Sequence, residues 1–132
     1  YEDPYSDFGR LSFELWRACR LVVDTGIHAK KWTKKQAIRF LSQNRSGTQE
    51  DYRRSIERYA VIPGQATSYK VGMLKIMELR SKAEKQMGSK FDVRGFHDEL
   101  LRHGALPLDI LEEQVNRWIT RNLTAPKLSR VL

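Results

Sequence analysis

Apolar residues in this chain recur three and four positions apart, and nowhere do apolar and polar residues alternate for long enough to make a half-buried strand. A sequence with that periodicity alone can bury its apolar side chains only along helix faces. The expected fold is therefore all-α, with about six helices. The ends of these helices carry local signals. The first is expected over about residues 7–29, opened by Asp7, a residue type that caps helices. Thr33 opens the second, and Gln36 three residues on completes a capping box. Residues 44–47 read as a loop, after which Thr48 caps a third helix carrying Tyr52, Ile56 and Tyr59. Pro63 and Gly64 punctuate the chain, and a fourth helix is expected over residues 63–87, closed by Gly88. Asp92 can cap a short fifth helix that ends before Gly104. Pro107 starts a sixth, in which Leu111, Val115, Trp118 and Ile119 make one apolar stripe.

At 132 residues, 40% of them hydrophobic, the chain can build a core, and it reads as a single helical unit over residues 1–132 with a frayed basic tail at 123–132. Its longest apolar runs, such as Leu21-Val22-Val23, are far short of the ~20 residues of a membrane-spanning helix, so no membrane span is expected. Cys19 is the one cysteine and cannot form an internal disulfide. The opening residues, YEDPY, read like a loop continuing from something earlier, so a fragment of a longer protein is expected. The net charge of +8 would suit nucleic acid, an anionic membrane or an acidic partner. The densest basic clusters are Lys30, Lys31, Lys34 and Lys35 with nearby Arg39, and then Arg53, Arg54 and Arg58. Neither is interleaved with the aromatic and glycine pattern of an RNA-binding sheet, and zinc-finger spacing is absent, which disfavours nucleic acid. Solvated helix faces account for such runs, and so does an acidic complement on another part of a longer chain.

Two helices carry unusual polar residues. On the first, Arg17, Arg20, Asp24 and His28 fall within about 80° of one another, flanked by Phe13, Trp16 and Leu21. That helix is apolar around most of its circumference and is expected to be buried, so its charged stripe must be paired or face a cleft. Asp24 can pair with Arg20 at i−4 and with His28 at i+4. The stripe could grip an anion or hold a histidine for proton transfer or oxyanion stabilisation; equally, it could be an internal network tying helices together. On the fourth helix, Tyr69 shares a face with Gln65, Gly72, Ile76 and Arg80, so Gln65 and Tyr69 could donate hydrogen bonds into a site, or Tyr69 could be a core tyrosine with one partner. His97 and His103 lie about 240° apart around a helix and cannot make a metal pair on one face. A His-Glu-x-x-His pattern is absent.

The strings GRLSFELWRACRLVVDTGIHAKKWT from Gly9, RYAVIPGQATSYKVG from Arg58 and LRSKAEKQMGSKFDVRGFHDELLRHGALPLDIL from Leu79, with the late Trp118, resemble the C-terminal part of the bacterial family called domain of unknown function 885. That family is similar to the gluzincin metallopeptidases, helical enzymes related in architecture to angiotensin-converting enzyme and the oligopeptidases. The resemblance implies the C-terminal helical subdomain of a zincin-like peptide hydrolase. It implies a zinc-binding His-Glu helix and a downstream glutamate ligand ahead of the segment seen here, and an exported or lipid-anchored parent. The implied partners are the metal-binding N-terminal part of the same protein and a peptide substrate. The zinc-ligand helices are missing from this sequence, so no metal ligand is expected here and the segment alone should not hydrolyse peptides. The resemblance implies that Tyr69 donates its hydroxyl to a tetrahedral intermediate and that His28 faces the cleft, with Asp24 and Arg20 behind it. It implies that Gln65 and Lys70 hold peptide backbone or a terminal carboxylate, and that Arg17 and Arg20 contact substrate. A different class of reading is a basic helical interaction module that binds an acidic protein or nucleic acid.

Overall fold

The computed structural model describes residues 2–124. It contains six α-helices, α1 (Pro4–His28), α2 (Lys34–Asn44), α3 (Gln49–Val61), α4 (Gln65–Met87), α5 (Val93–Leu101) and α6 (Leu108–Thr124), with a single 3-10 turn at Gly88–Lys90 and no strand among the described residues. The all-α expectation therefore holds. Residues 123 and 124 of the expected tail are helical, and the rest of it, 125–132, lies outside the described residues.

Local chemistry explains the helix starts. Thr33 accepts a hydrogen bond from the Gln36 N–H while the Gln36 side chain accepts from the Thr33 N–H, the expected capping box. Thr48 and Asp51 build a second box at the start of α3. Asp92 caps α5 through the Arg94 and Gly95 N–H groups. The start of α1 differs from expectation: Asp3 is the cap, accepting from the Tyr5 and Ser6 N–H groups, and Asp7 lies inside the first turn. Pro4 at the first helical position decides between the two aspartates, because its ring pre-sets φ where no N–H is needed. Similarly α4 begins at Gln65 rather than at Pro63, since Gly64 takes φ +81, a left-handed turn that ends helical geometry before it.

The chain divides into two compact units, one reaching to Gly72 and the other starting at Met73. In the first, the core is built from Cys19 and Val23 of α1, Ala37 and Leu41 of α2, Tyr52, Ile56 and Tyr59 of α3, and Ala66 at the start of α4. In the second, Leu79, Ala83 and Met87 of α4 pack with Phe96 of α5 and with Leu111, Val115, Trp118 and Ile119 of α6, so the whole predicted α6 stripe is buried. Glu99 is buried in that unit and pairs with Arg121 at 3.2 Å and Arg102 at 3.7 Å. Burial of α1 is a correction to the sequence reading. Only its second half enters the core, whereas Tyr5, Phe8, Leu11, Phe13 and Leu15 are exposed. Among the described residues α1 meets α2 and α3, and that packing draws in only its C-terminal turns. No described helix is long and apolar enough to cross a membrane.

Part of the basic surface is neutralised locally. Arg53 and Arg54 both bind Glu50, holding its carboxyl at about 2, and Glu57 takes Lys34 and Arg53. These pairs are exposed and each contributes little to stability. Cys19 is buried, and burial pushes its thiol above the ordinary value. Alkylation near neutral pH should therefore be slow in the folded chain and rise by about two orders of magnitude in denaturant. Rapid native labelling, followed by mass spectrometry, would show that this part of the core opens.

Candidate functional site

All seven residues singled out on α1 and α4 belong to the first unit, and the structure joins most of them in one network. Asp24 is 1% exposed. Its Oδ1 accepts from the Gly64 N–H at 3.2 Å, and its Oδ2 accepts from the Thr67 N–H at 3.1 Å and the Thr67 hydroxyl at 2.7 Å. A helix start leaves N–H groups without intrahelical partners, and here a carboxylate from α1 supplies their acceptor across the helix pair. Asp24 therefore caps α4 from outside its own chain segment. The expected Asp24–Arg20 pair does not form, because these donors occupy the carboxylate and Arg20 turns elsewhere.

His28 is the continuation of that network. Its side chain is 33% exposed, and its Nε2 lies 3.0 Å from the Tyr59 carbonyl and 3.5 Å from Asp24 Oδ1. Both neighbours are acceptors, so Nε2 must carry the hydrogen. The arrangement leaves Nδ1 as the imidazole atom available for other chemistry.

Arg20 is only 8% exposed, although it bears a full charge. Its guanidinium carbon lies 4.7 Å from the ring centre of Tyr69, 5.1 Å from that of Trp16 and 5.5 Å from that of Tyr59. Three aromatic faces thus take the place of a carboxylate. Its Nη2 donates to Gln65 Oε1 at 2.8 Å, while its Nε is buried and has no partner among the described residues. Gln65 consequently has one orientation: its oxygen faces Arg20, and its Nε2 donates to the Tyr69 hydroxyl oxygen at 3.0 Å. The phenol is an acceptor in that bond. Its own hydrogen has no acceptor among the described residues, and Tyr69 is 44% exposed. Gln65 and Tyr69 therefore share a face as expected, and the Arg20 contact fixes the direction of the bond between them.

Arg17 lies with its guanidinium carbon 5.7 Å from the centre of the Tyr69 ring. Lys70 is on another side of α4 and donates to Glu14 Oε1 at 3.0 Å, a bond that lowers the Glu14 carboxyl pKa. Its ammonium is thereby already engaged. Trp16, Tyr59 and Thr67 were not read from the sequence as site residues, and Gly64 was read only as a small residue that lets a helix or a ligand approach the backbone. Trp16 was legible as the i−4 neighbour of Arg20, whereas the other three come from distant segments that no local spacing connects to α1. The cavity of about 700 Å3 beside Phe8, Phe13, Trp16 and residues 42–46 is lined by none of the seven. Among the described residues, no three of His, Cys, Asp and Glu come together in a way that could hold a metal ion.

No curated protein matches this chain. A crystal structure named as the "putative lipoprotein from Colwellia psychrerythraea" is similar to it, with 49% sequence identity and a TM-score of 0.88. The match covers 91% of this chain and 20% of that one, so this chain spans about a fifth of the relative's length. Residues 1–115 match the family described as "Bacterial protein of unknown function (DUF885)", and the chain belongs to that family.

Proposed function

We propose that this chain forms a helical wall of the substrate cleft in a peptide hydrolase of the gluzincin type. In this reading Tyr69 is the catalytic hydroxyl donor. A peptide carbonyl under attack develops negative charge on its oxygen, and a pre-aimed O–H stabilises that charge without having to reorient during the reaction. The observation that carries the reading is the Arg20–Gln65–Tyr69 chain. It uses the phenol oxygen as an acceptor and leaves the phenol hydrogen unspent on a half-exposed surface. His28 is the second contributor, with Nδ1 available and Nε2 tethered to Tyr59 and Asp24. Arg17 and Gln65 contact substrate, Arg20 holds Gln65, and Lys70 reaches substrate only by leaving Glu14.

Among the described residues, no group of side chains could hold zinc. The reading therefore assigns zinc, and the chemistry of activating water, to a metal-binding part of the longer protein. That part and a peptide are the partners this reading implies. By analogy with the relative's name, the longer protein would be exported or lipid-anchored. The test is Tyr69→Phe in the full-length protein. kcat should fall by about 10²–10³-fold with metal content unchanged, as for loss of one oxyanion donor. An unchanged kcat removes Tyr69 from the mechanism.

A further inference from the structure

We propose that one end of the first unit docks on an anionic lipid surface. Val61 and Ile62 enter the headgroup layer, and Lys30, Lys31, Lys35 and Arg58 face the lipid phosphates. The proposal goes beyond the hydrolase reading and does not rest on it.

Charge is unevenly spread along the chain. Residues 30–58 carry nine cations and three acids, so +6 of the net +8 falls in less than a quarter of the sequence. All three acids are engaged. Glu50 takes Arg53 and Arg54, Glu57 takes Lys34 and Arg53, and Asp51 caps α3. Lys30, Lys31, Lys35 and Arg58 are exposed, and among the described residues none of them has a carboxylate within ion-pair distance. The first unit thus presents positive charge that its own acids leave uncancelled.

Two contacts gather these four cations at one end. Lys34 Nζ lies 2.7 Å from Glu57 Oε1, which joins the start of α2 to the last turn of α3. His28 Nε2 lies 3.0 Å from the Tyr59 carbonyl, which joins the end of α1 to the same turn. Lys30 and Lys31 follow α1 directly, Lys35 follows Lys34, and Arg58 is in that turn. The chain leaves α3 at this end through Val61 and Ile62, which are 76% and 45% exposed. Their turn is held from both sides. The Ile62 N–H donates to the Arg58 carbonyl at 3.2 Å, and the Gly64 N–H donates to buried Asp24 at 3.2 Å. Two aliphatic side chains are therefore fixed in water beside cations from three helix ends.

Cations alone would suit any anion, and the aliphatic pair decides among them. A nucleic-acid backbone is gripped by cations and hydrogen-bond donors, and it would leave Val61 and Ile62 in water. Two side chains at a helix end are far short of the roughly 800 Å2 that each partner contributes to a stable protein interface. An anionic bilayer uses both features: its phosphates meet the cations, and its acyl boundary takes the aliphatic pair.

The test is sedimentation of the full chain with sucrose-loaded vesicles. One set is phosphatidylcholine alone, and the other contains about 30% phosphatidylglycerol. Half of the chain should bind the anionic vesicles at about 1 mM accessible lipid, with at least tenfold weaker binding to the neutral ones. Binding should fall steeply as salt rises from about 0.05 to 0.5 M. A basic residue near such a surface contributes about a factor of five, so Lys30→Gln with Lys31→Gln should weaken binding more than about tenfold. Lys85→Gln with Arg94→Gln removes the same charge from exposed positions in the second unit and should leave binding unchanged. Val61→Ser with Ile62→Ser keeps every charge and should weaken binding about tenfold. All six positions are exposed, so these substitutions spare the core. Equal binding to the two kinds of vesicle overturns the proposal, as does no binding at low salt or an equal effect of the two charge variants. Full binding by the serine variant also overturns it. So does tighter binding to a duplex DNA oligonucleotide than to the vesicles, which would assign the cations to nucleic acid.

Discussion

Asp24→Ala is expected to destabilise the first unit by about 3–4 kcal/mol. The substitution removes a buried carboxylate that accepts from the Gly64 N–H, the Thr67 N–H and the Thr67 hydroxyl. Hydrogen bonds to a charged group contribute about 1.5–3 kcal/mol each, and a helix cap alone contributes about 1 kcal/mol. The contributions do not add fully, because water can enter and satisfy part of what is left. His28 also loses one of its two anchors and keeps only the Tyr59 carbonyl. Asp24→Asn keeps one acceptor oxygen but turns its NH2 group toward either the Gly64 N–H or Thr67, so it should recover only part of that stability and still cost about 2–3 kcal/mol. Urea unfolding followed by circular dichroism distinguishes these values. An alanine variant within about 0.5 kcal/mol of the unsubstituted chain would show that Asp24 does not hold α4. Such a loss is a large share of the 5–15 kcal/mol typical of a whole domain.

Gly26→Ala is expected to cost about 3 kcal/mol by overpacking. A Cβ at this position would lie 2.4 Å from Trp32 Cε3 and 2.6 Å from its Cδ2, inside the body of the indole ring. The ring has little freedom to retreat. Trp32 packs on the core of the first unit and against Phe40, with ring centres 5.7 Å apart, and its backbone N–H donates to the Gly26 carbonyl at 2.9 Å. Lys31 in between holds φ +57, which turns the chain sharply back onto α1. Glycine is thus needed at position 26 for close approach of a ring. In a helix interior alanine is otherwise the better former, so without the ring the substitution would stabilise by nearly 1 kcal/mol. The sign of the measured change therefore decides whether Trp32 sits on α1. A stabilised Gly26→Ala variant would remove it from there, and a shifted tryptophan emission maximum in a destabilised variant would report its displacement.

The helices were legible because what makes them is local. Thr33 with Gln36, Thr48 and Asp92 are caps whose partners lie two or three residues away, and the α6 stripe of Leu111, Val115, Trp118 and Ile119 needs only the helical repeat. The start of α1 was misplaced at Asp7 although Pro4 was there to be read as a first-turn residue. The exposed first half of α1 was not legible, because a periodic pattern states which residues are apolar and not which of them a neighbour covers. Tyr69 and Gln65 could be placed on one face from spacing alone. The direction of the bond between them could not, since it depends on an arginine from another helix.

What the sequence by itself determined was the set of six helices, their ends to within a few residues, and the stripe that gathers Arg17, Arg20, Asp24 and His28. What only the tertiary structure decided was how that stripe is used. At i and i+4, Arg20 and Asp24 are free to pair, and an isolated helix would allow it. The fold brings the start of α4 against α1, and the unsatisfied N–H groups there take the carboxylate from forty and forty-three residues away. Arg20 then turns to Gln65, forty-five residues on, and to three aromatic rings. The N–H groups at a buried helix start have no other acceptor, whereas Arg20 can turn to an amide oxygen and aromatic faces, so partners remote in sequence take the carboxylate from the neighbour one helical turn away.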